Sequence, residues 1–288
     1  MEPYRVYLFN THETPVFSIV TPIYNQESII VKNIRSILQH TEGFFEVILI
    51  LDYCFDKTEE YLLNYLDSLE PRENLIQVRI FKQTGKPLFE TKCDNIGFRA
   101  SMGKYCLEIQ ADMEMVEPGY NLELEKPFKM FQDILAVSGR CAHDLFGGHG
   151  VGKLGERVEH TLESLGIQRG VFYMFDPCNR GPLLLDRAKL EELGFLNEND
   201  FFLDNSDHDL MARAFLEKKY KCGYVPIEFT SPLRDGSTRE TNYIDCDEYK
   251  INRAERERVS KLCNSSLEKY RDVWIQRDPV CVRIDTGN

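Results

Sequence analysis

Short apolar runs alternate with segments of helical periodicity along the first half of the chain. Four runs are bounded by turn-forming residues and have the pattern of strands buried on both faces: 16–21, 46–51, 75–81 and 105–109. Apolar positions at helical spacing predict helices at 26–40 and 57–69, and a third helix, rich in small residues, is predicted at 92–103. This alternation predicts an α/β fold with a Rossmann-like, mostly parallel sheet flanked by helices.

The second half of the chain is less regular. Helices are predicted at 186–193 and 207–219, whereas the glycine-rich segment 138–155 has the composition of a loop. We therefore expect one domain over residues 1–230. A flexible segment and a C-terminal helical extension of dense mixed charge are expected to follow it over residues 231–288.

Composition and charge exclude several classes of function. The 35 Lys and Arg residues are outnumbered by 47 Asp and Glu residues, so the net charge of −12 lacks the basic footprint of a general nucleic-acid binder. The longest apolar runs are far shorter than the ~20 residues of a membrane span, and no transmembrane segment is expected. No secretory signal is visible, and the nine cysteines include no C-x-x-C pair. Both observations indicate reduced thiols and a cytoplasmic location.

Acidic residues follow the predicted strands at the edge where open α/β sheets bind their ligands. Asp112 and Glu114, one residue apart after the fourth strand, could face one divalent cation, since Mg²⁺ and Mn²⁺ prefer oxygen ligands. A solvated acidic turn is the alternative. Asp52 ends the second strand and could accept a hydrogen bond from a uracil ring or a ribose hydroxyl. Asp56 is expected to cap the helix that follows it.

Two further carboxylates, Asp207 and Asp209, lie at the start of a predicted helix. Either could act as a general base if an acceptor hydroxyl lies close to it. Both could equally stabilise the helix macrodipole, at about 0.3–1 kcal/mol each. Two residues correspond to about 200° of rotation along a helix, so the two side chains cannot both point into the same cleft.

The stretch SIVTPIYN at 18–25 resembles the opening P-x-Y-N of the family-2 glycosyltransferases, which have the GT-A fold. Later stretches are similar to further motifs of this family: the acidic turn in VILILDYCFDKT at 47–58, N-x-G at 95–97, the acidic triplet at 112–114 in place of D-x-D, the acceptor-side segment at 181–195, and SDHDL at 206–210 in place of E-D-x-D-L. Each motif alone is weak, and their shared order over residues 16–226 makes the resemblance specific.

The resemblance implies a metal-dependent, inverting glycosyltransferase. Such an enzyme would move a hexose or N-acetylhexosamine from a nucleotide-diphosphate donor, expected to be a UDP-sugar, to a hydroxyl acceptor on a glycan or other molecule. Asp207 matches the catalytic base, and Asp112 and Glu114 match the ligands of Mn²⁺ or Mg²⁺. The residues that match the nucleotide-sugar site are Pro22, Tyr24, Glu27, Asp52, Asp94, Asn95, Gly97 and Ala111. Segments 146–155 and 231–243 are expected to close over bound substrate.

Departures from the family pattern leave two other interpretations open. Ser206 stands where the family has Glu before the base, and Asp94 stands where an Arg is common. A catalytically inactive relative that binds a nucleotide sugar or a glycan would tolerate both changes. A sugar nucleotidyltransferase also uses strand-end carboxylates and a metal, but it needs a glycine-rich basic loop after the first strand. This chain has Pro22-Ile23-Tyr24-Asn25 there.

Overall fold

A computed structural model describes residues 1–139, 168–174, 179–201, 206–230 and 280–284. The strands are β1 Arg5–Leu8, β2 Phe17–Ile23, β3 Phe45–Asp52, β4 Leu75–Gln83, β5 Tyr105–Glu108, β6 Glu114–Met115, β7 Ile134–Ser138, β8 Val171–Met174, β9 Leu183–Asp186, β10 Lys221–Tyr224, β11 Phe229–Thr230 and β12 Val280–Arg283. The helices are α1 Ile30–His40, α2 Thr58–Asp67, α3 Glu90–Ala100, α4 Tyr120–Met130, α5 Arg187–Glu192 and α6 Ser206–Arg213. Helix α6 continues into a π-helical turn, Ala214–Lys218.

Ten strands form one mixed sheet in the order β1-β4-β3-β2-β5-β9-β7-β10-β8-β12. The four neighbours β4, β3, β2 and β5 are parallel and form the predicted Rossmann-like part. Strand β9 lies antiparallel between β5 and β7, and β1 pairs antiparallel with β4 at one edge. The short strands β6 and β11 form a separate two-stranded sheet. The predicted α/β class, with a sheet flanked by helices, is confirmed.

Apolar side chains cover both faces of the parallel strands, which explains why their sequences are continuous apolar runs rather than alternating ones. In β3, Val47, Leu49 and Leu51 belong to the hydrophobic cluster that includes α1 and α2. The side chains of Ile48 and Ile50 lie in a second cluster, with residues of α3. The helices therefore pack on opposite faces of the sheet, and the loops after the strands meet at one edge.

Helix α3 approaches the sheet closely because it carries Gly97. A Cβ atom at this position would lie 2.2 Å from Cγ1 of Val20 on β2. Glycine therefore permits a helix-to-strand contact that any side chain would obstruct. This packing brings the N-terminal half of α3, with Glu90 and Asp94, towards the carboxyl ends of β2 and β5.

The predicted helix boundaries shift by a few residues. Helix α1 begins at Ile30 rather than at residue 26, and α3 spans Glu90–Ala100 rather than 92–103. The predicted helix 207–219 is α-helical only to Arg213 before the π-helical turn follows. The sequence pattern missed α4, which contains Pro127, and the edge strand β1.

The C-terminal part of the chain lies largely outside the described residues. This applies to segments 146–155 and 231–243, which are expected to close over substrate, and to almost all of the predicted extension. Strand β12 is described and pairs with β8 in the main sheet. Within the described ranges, no helix combines the length and the apolar character that a membrane crossing requires.

Candidate active site at the carboxyl edge of the sheet

The loops after β2 and β3 are joined by hydrogen bonds between their side chains and backbones. Oδ1 of Asn25 accepts the Phe55 N–H at 3.0 Å, and Oγ1 of Thr58 accepts the Gln26 N–H at 2.6 Å. Oδ2 of Asp56 accepts the Glu27 N–H at 3.2 Å. These bonds hold the loop that follows β2 against the acidic turn that follows β3.

The predicted donor-site residues of the first loop differ in exposure. Pro22 lies within β2 and is buried, and Tyr24 is buried beneath an edge-on contact with Phe55, whose ring centroid is 5.9 Å away. Glu27 is exposed, and its Oε2 accepts the Lys57 N–H at 3.0 Å. Phe55 is 59% exposed. An exposed aromatic ring therefore lies directly beside Tyr24 at this edge.

Asp52, the last residue of β3, is buried and binds the chain just before α3. Its Oδ1 accepts the Leu88 N–H at 2.7 Å and its Oδ2 accepts the Phe89 N–H at 2.9 Å. Phe89 adopts a positive φ of 68° at this position. Contact with a nucleotide remains a prediction for Asp52.

The turn after β5 is held by a side chain that the sequence did not single out. Asn33 on α1 is fully buried, and its amide donates to the Gln110 carbonyl at 3.0 Å and to the Met113 carbonyl at 2.6 Å. Ala111 and Asp112 lie between these two carbonyls. The orientation of this acidic turn therefore depends on a buried amide of the first helix.

Asp112 and Glu114 remain the predicted metal ligands. Asp112 is 9% exposed, and Glu114 is partly exposed on β6, where it pairs with Thr230 of β11. Both offer carboxylate oxygens, the ligand type that Mg²⁺ and Mn²⁺ prefer. The donor set therefore fits such an ion.

A second group of carboxylates lies close by, formed by Glu90, Asp94 and Glu108; we call it the acidic cluster. One oxygen from each lies within 4.8 Å of the others, and all three side chains are buried. Nη1 of Arg180 donates to Oδ2 of Asp94 at 2.8 Å, and Nη2 lies 3.5 Å from Oε2 of Glu90. Because this guanidinium already supplies a positive charge, we do not assign the metal to the acidic cluster.

Glu108 keeps its proton to higher pH than an ordinary glutamate does. Burial raises its pKa well above the ordinary value, and the charges of Asp94 and Glu90 add to that rise. Arg180 and the Gly181 N–H, which donates to Oε2 at 2.6 Å, oppose it only in part. Among the described residues, Oε1 of Glu108 has no hydrogen-bond partner. A buried oxygen without a hydrogen bond costs less free energy in a neutral carboxyl than in a charged carboxylate.

Asp207 lies in the first turn of α6 and is buried. Its Oδ2 accepts the Arg180 N–H at 2.9 Å, and its Oδ1 accepts the His208 N–H at 3.0 Å. Burial alone would raise the pKa of Asp207, but the charges of His208 and Arg180, with these two N–H groups, bring the pKa below its ordinary value. Ser206 accepts a hydrogen bond from the Thr91 hydroxyl at 3.1 Å, which links α6 to α3.

Asp209 has a different role from the one expected at a helix terminus. It is 2% exposed, and its Oδ2 lies 2.7 Å from Nε of Arg213. The Arg213 guanidinium also donates to the carbonyls of Leu193 and Phe195, at 2.8 and 2.9 Å. Asp209 therefore does more than favour the helix macrodipole: it forms a buried ion pair with Arg213, which fastens α6 to the neighbouring loop after α5.

The remaining predicted donor residues on α3 bind other parts of the protein. Asp94 pairs with Arg180, as described above. The Asn95 side chain donates to the Leu196 carbonyl at 2.9 Å and accepts the Leu196 N–H at 3.0 Å. Gly97 packs on β2. Their contact with a nucleotide sugar remains a prediction.

Sequence analysis missed Arg180, Glu90 and Glu108, although two signals pointed to the cluster. Asp94 replaces an Arg that is common in the resembled family, so a buried acid there needs a cation from elsewhere in the chain. Glu108 interrupts an apolar strand, YCLEI, where a carboxyl is costly unless it has partners. Neither signal indicates which arginine is the partner.

Comparison with known families agrees with this geometry. Residues 18–123, which contain β2 to β6 and the acidic turn, match the model of glycosyl transferase family 2. This matched segment, which is less than half of the chain, is the part that resembles family-2 glycosyltransferases. No curated protein matches the chain.

Solved structures of glycosyltransferases share the fold of this domain. Residues 1–349 of TarS from S. aureus align with 15% identity and a TM-score of 0.51, over 75% of this chain and 60% of that one. The mannosyltransferase PcManGT from Pyrobaculum calidifontis, in complex with GDP-Man and Mn²⁺, aligns with 14% identity and a TM-score of 0.54, over 76% and 57%. This chain therefore has the GT-A fold and spans about three fifths of the length of each of these two chains.

Proposed function

We propose that this protein is a metal-dependent, inverting glycosyltransferase that moves a sugar from a nucleoside-diphosphate donor to a hydroxyl acceptor. One observation carries the proposal: the buried carboxylate of Asp207 and the turn that carries Asp112 contact the same two-residue segment. Asp207 accepts the Arg180 N–H, while a Cβ atom on Gly181 would lie 2.8 Å from Cε of Met113 in that turn. A candidate base and a candidate metal ligand are thus joined through Arg180–Gly181.

Asp207 is suited to accept the proton of the acceptor hydroxyl. Its lowered pKa keeps the carboxylate ionised at neutral pH, and two backbone N–H groups fix its orientation. A hydroxyl is a weak nucleophile until a positioned base takes its proton. Attack from the face opposite the leaving diphosphate would invert the anomeric centre, as it does in inverting glycosidases.

Asp112 and Glu114 would hold the Mn²⁺ or Mg²⁺ ion. A divalent cation at this position stabilises the negative charge that develops on the leaving diphosphate. Asn33 supports this role of the turn, since it binds the carbonyls on both sides of Asp112. The Mn²⁺ ion in the complex of the similarly folded mannosyltransferase PcManGT supports the assignment.

The donor nucleotide would lie along the carboxyl ends of β2 and β3, where Pro22, Tyr24, Glu27 and Asp52 meet. The exposed ring of Phe55 offers an apolar surface beside them. The residues expected to complete the donor site are Asp94, Asn95, Gly97 and Ala111. We expect a UDP-sugar and include a GDP-sugar as the second nucleotide to test, because the PcManGT complex holds GDP-Man.

Donor binding and donor hydrolysis test this function. UDP-glucose, UDP-GlcNAc and GDP-mannose are incubated with the protein and MnCl₂, and binding and nucleoside-diphosphate release are measured. We expect one of them to bind and to be hydrolysed slowly, and excess EDTA to abolish release. Asp112→Asn should lose most of the activity. Asp133→Asn, a carboxylate 44% exposed at the opposite end of β7, is the matched control and should retain it.

Three kinds of result would contradict the proposal or its metal assignment. Full activity in excess EDTA, or in Asp112→Asn, would eliminate the metal assignment. Binding of a nucleotide sugar with neither hydrolysis nor transfer to any acceptor would favour the catalytically inactive relative instead. Release of diphosphate from a sugar 1-phosphate and a nucleoside triphosphate would indicate a nucleotidyltransferase.

A further inference from the structure

We infer that Arg180 is a positioning residue, which fixes the carboxylate of Asp207 and joins it to the donor-side helix α3. This inference rests on the proposed role of Asp207 as the base. Arg180 itself is not assigned a contact with substrate.

The first support is that Arg180 makes two separate kinds of contact. Its backbone N–H donates to Oδ2 of Asp207 at 2.9 Å, while its guanidinium binds Asp94 at 2.8 Å and lies 3.5 Å from Glu90. Asp207 belongs to α6, and the other two carboxylates belong to α3. Arg180 is 6% exposed, so both contacts are shielded from solvent. A change in the side chain would therefore be transmitted to Asp207 through the backbone of a single residue.

The second support is the distribution of charge around Asp207. The charged groups that act on Asp207 are His208 on its own helix and Arg180 on the segment before β9. Arg180 in turn lies among four carboxylates: Asp207 on α6, Glu90 and Asp94 on α3, and Glu108 on β5. Burial would lower the pKa of Arg180, but the four carboxylates raise it above the ordinary value. Arg180 is in turn one of the groups that lower the pKa of Asp207. Removal of its guanidinium would leave buried carboxylates without compensation, which is strongly destabilising.

The third support is the close packing of Gly181, the residue that follows Arg180 in the chain. It has a positive φ of 62°, and a Cβ atom here would lie 2.9 Å from Cγ of Gln110 and 2.8 Å from Cε of Met113. Its N–H donates to Glu108 on β5. The segment Arg180–Gly181 is thus held between the base helix and the turn that carries Asp112, so a shift of Arg180 would alter both sides of the site.

The arrangement differs from the sequence pattern in a specific way. Asp94 stands on α3 where an arginine is common in the resembled family, and Arg180 brings a guanidinium to that carboxylate from 86 residues further along the chain. The acid and its cation are therefore supplied by two separate elements. This arrangement makes the α3–α6 connection dependent on Arg180.

Three variants separate positioning from simple charge compensation: Arg180→Lys, Arg180→Met, and the double variant Arg180→Met with Asp94→Asn. For each we would measure urea stability, the donor dissociation constant, and the pH profile of hydrolysis of the nucleotide sugar that the wild type turns over. Arg180→Met should fall by about 10² in kcat, the effect of a misplacement of about 1 Å. The acidic limb of kcat/KM should move to higher pH, because Asp207 loses a charge that lowers its pKa. Arg180→Lys should show a smaller fall in kcat and a smaller shift of the acidic limb than Arg180→Met.

The double variant provides the decisive comparison. Arg180→Met alone leaves the buried carboxylate of Asp94 without its cation. Asp94→Asn removes that charge, so the double variant should recover stability relative to Arg180→Met. We expect kcat and the acidic limb to remain altered in the double variant. Recovery of stability together with a wild-type pH profile would overturn the inference, because Arg180 would then act only by neutralising Asp94.

A second measurement does not depend on turnover. Carbon-13 labelling of the aspartate carboxyls allows the titration of Asp207 to be followed by NMR in the wild type and in Arg180→Met. We expect the pKa of Asp207 to rise in the variant. If the wild type hydrolyses none of the nucleotide sugars, the proposed function fails, and this titration alone decides the inference. An unchanged Asp207 pKa would then overturn it.

Discussion

Asparagine substitutions at Asp207 and Asp209 test whether two carboxylates in the same helical turn have separate roles. Asp207 is held by two backbone N–H groups beside Arg180, whereas Asp209 pairs with Arg213 at 2.7 Å. Asp207→Asn should abolish sugar transfer. Asp209→Asn should leave the activity of the folded protein intact and lower its stability.

The contacts of the two carboxylates set the expected losses of rate and of stability. Loss of a general base costs roughly 10² to 10⁴ in rate, or about 3–5 kcal/mol of transition-state stabilisation. Loss of one partner of a buried ion pair costs about 3–5 kcal/mol of stability. The Arg213 side chain is 18% exposed, and asparagine keeps one acceptor oxygen. We therefore expect about 2–3 kcal/mol for Asp209→Asn. Asp207→Asn should also lose about 1–3 kcal/mol of stability, since one backbone N–H loses its acceptor.

Both properties are measured on the same preparations. Urea unfolding provides the free energy of unfolding, and donor hydrolysis is normalised to the folded fraction at each condition. Arg213→Met is the matched control for Asp209→Asn, because it removes the same ion pair from the other side. It also releases the carbonyls of Leu193 and Phe195, so its loss of stability should be at least as large.

Three results would refute this division of roles. If Asp209→Asn loses turnover and Asp207→Asn keeps it, the base is Asp209. If both variants keep turnover, α6 does not carry the base. A loss of stability in Asp209→Asn below about 1 kcal/mol, the range of an exposed ion pair, would contradict the buried contact with Arg213.

Two further predictions concern stability. The raised pKa of Glu108 means that its favourable contribution is complete below the unfolded-state pKa and is lost as pH rises towards the folded-state value. Glu108→Gln should therefore gain stability relative to the wild type as pH rises above about 4, the unfolded-state pKa of a glutamate. Urea unfolding over a pH series measures this gain, and a stability difference that does not change with pH would contradict the prediction. Gly97→Ala places a Cβ atom 2.2 Å from Val20 and should cost about 1–3 kcal/mol. Gly85→Ala is the control, because its Cβ atom would lie 3.7 Å from the Gln83 side chain. If Gly97→Ala and Gly85→Ala melt at the same temperature, the packing argument is refuted.

The pattern of apolar residues predicts the parallel part of the sheet and the order of its helices. Strands β2 to β5 were predicted within a few residues because burial on both faces leaves a continuous apolar run that local pattern records. The helix positions followed from apolar spacing in the same way. The alternation of strands and helices alone therefore predicts that the residues following these strands meet at one edge.

The way in which the second half of the chain completes that edge depends on contacts between residues far apart in sequence. The antiparallel insertion of β9 between β5 and β7 joins strands far apart in sequence, and no local period encodes such pairing. The contact of Arg180 with Asp94 spans 86 residues, and that of Arg180 with Asp207 depends on a backbone N–H that every non-proline residue carries. Asp207 and Asp209 look alike in sequence, and their separation into two environments follows from what each side of α6 packs against. A local pattern reports whether a residue is buried, but its partner is set by the packing of elements from distant parts of the chain.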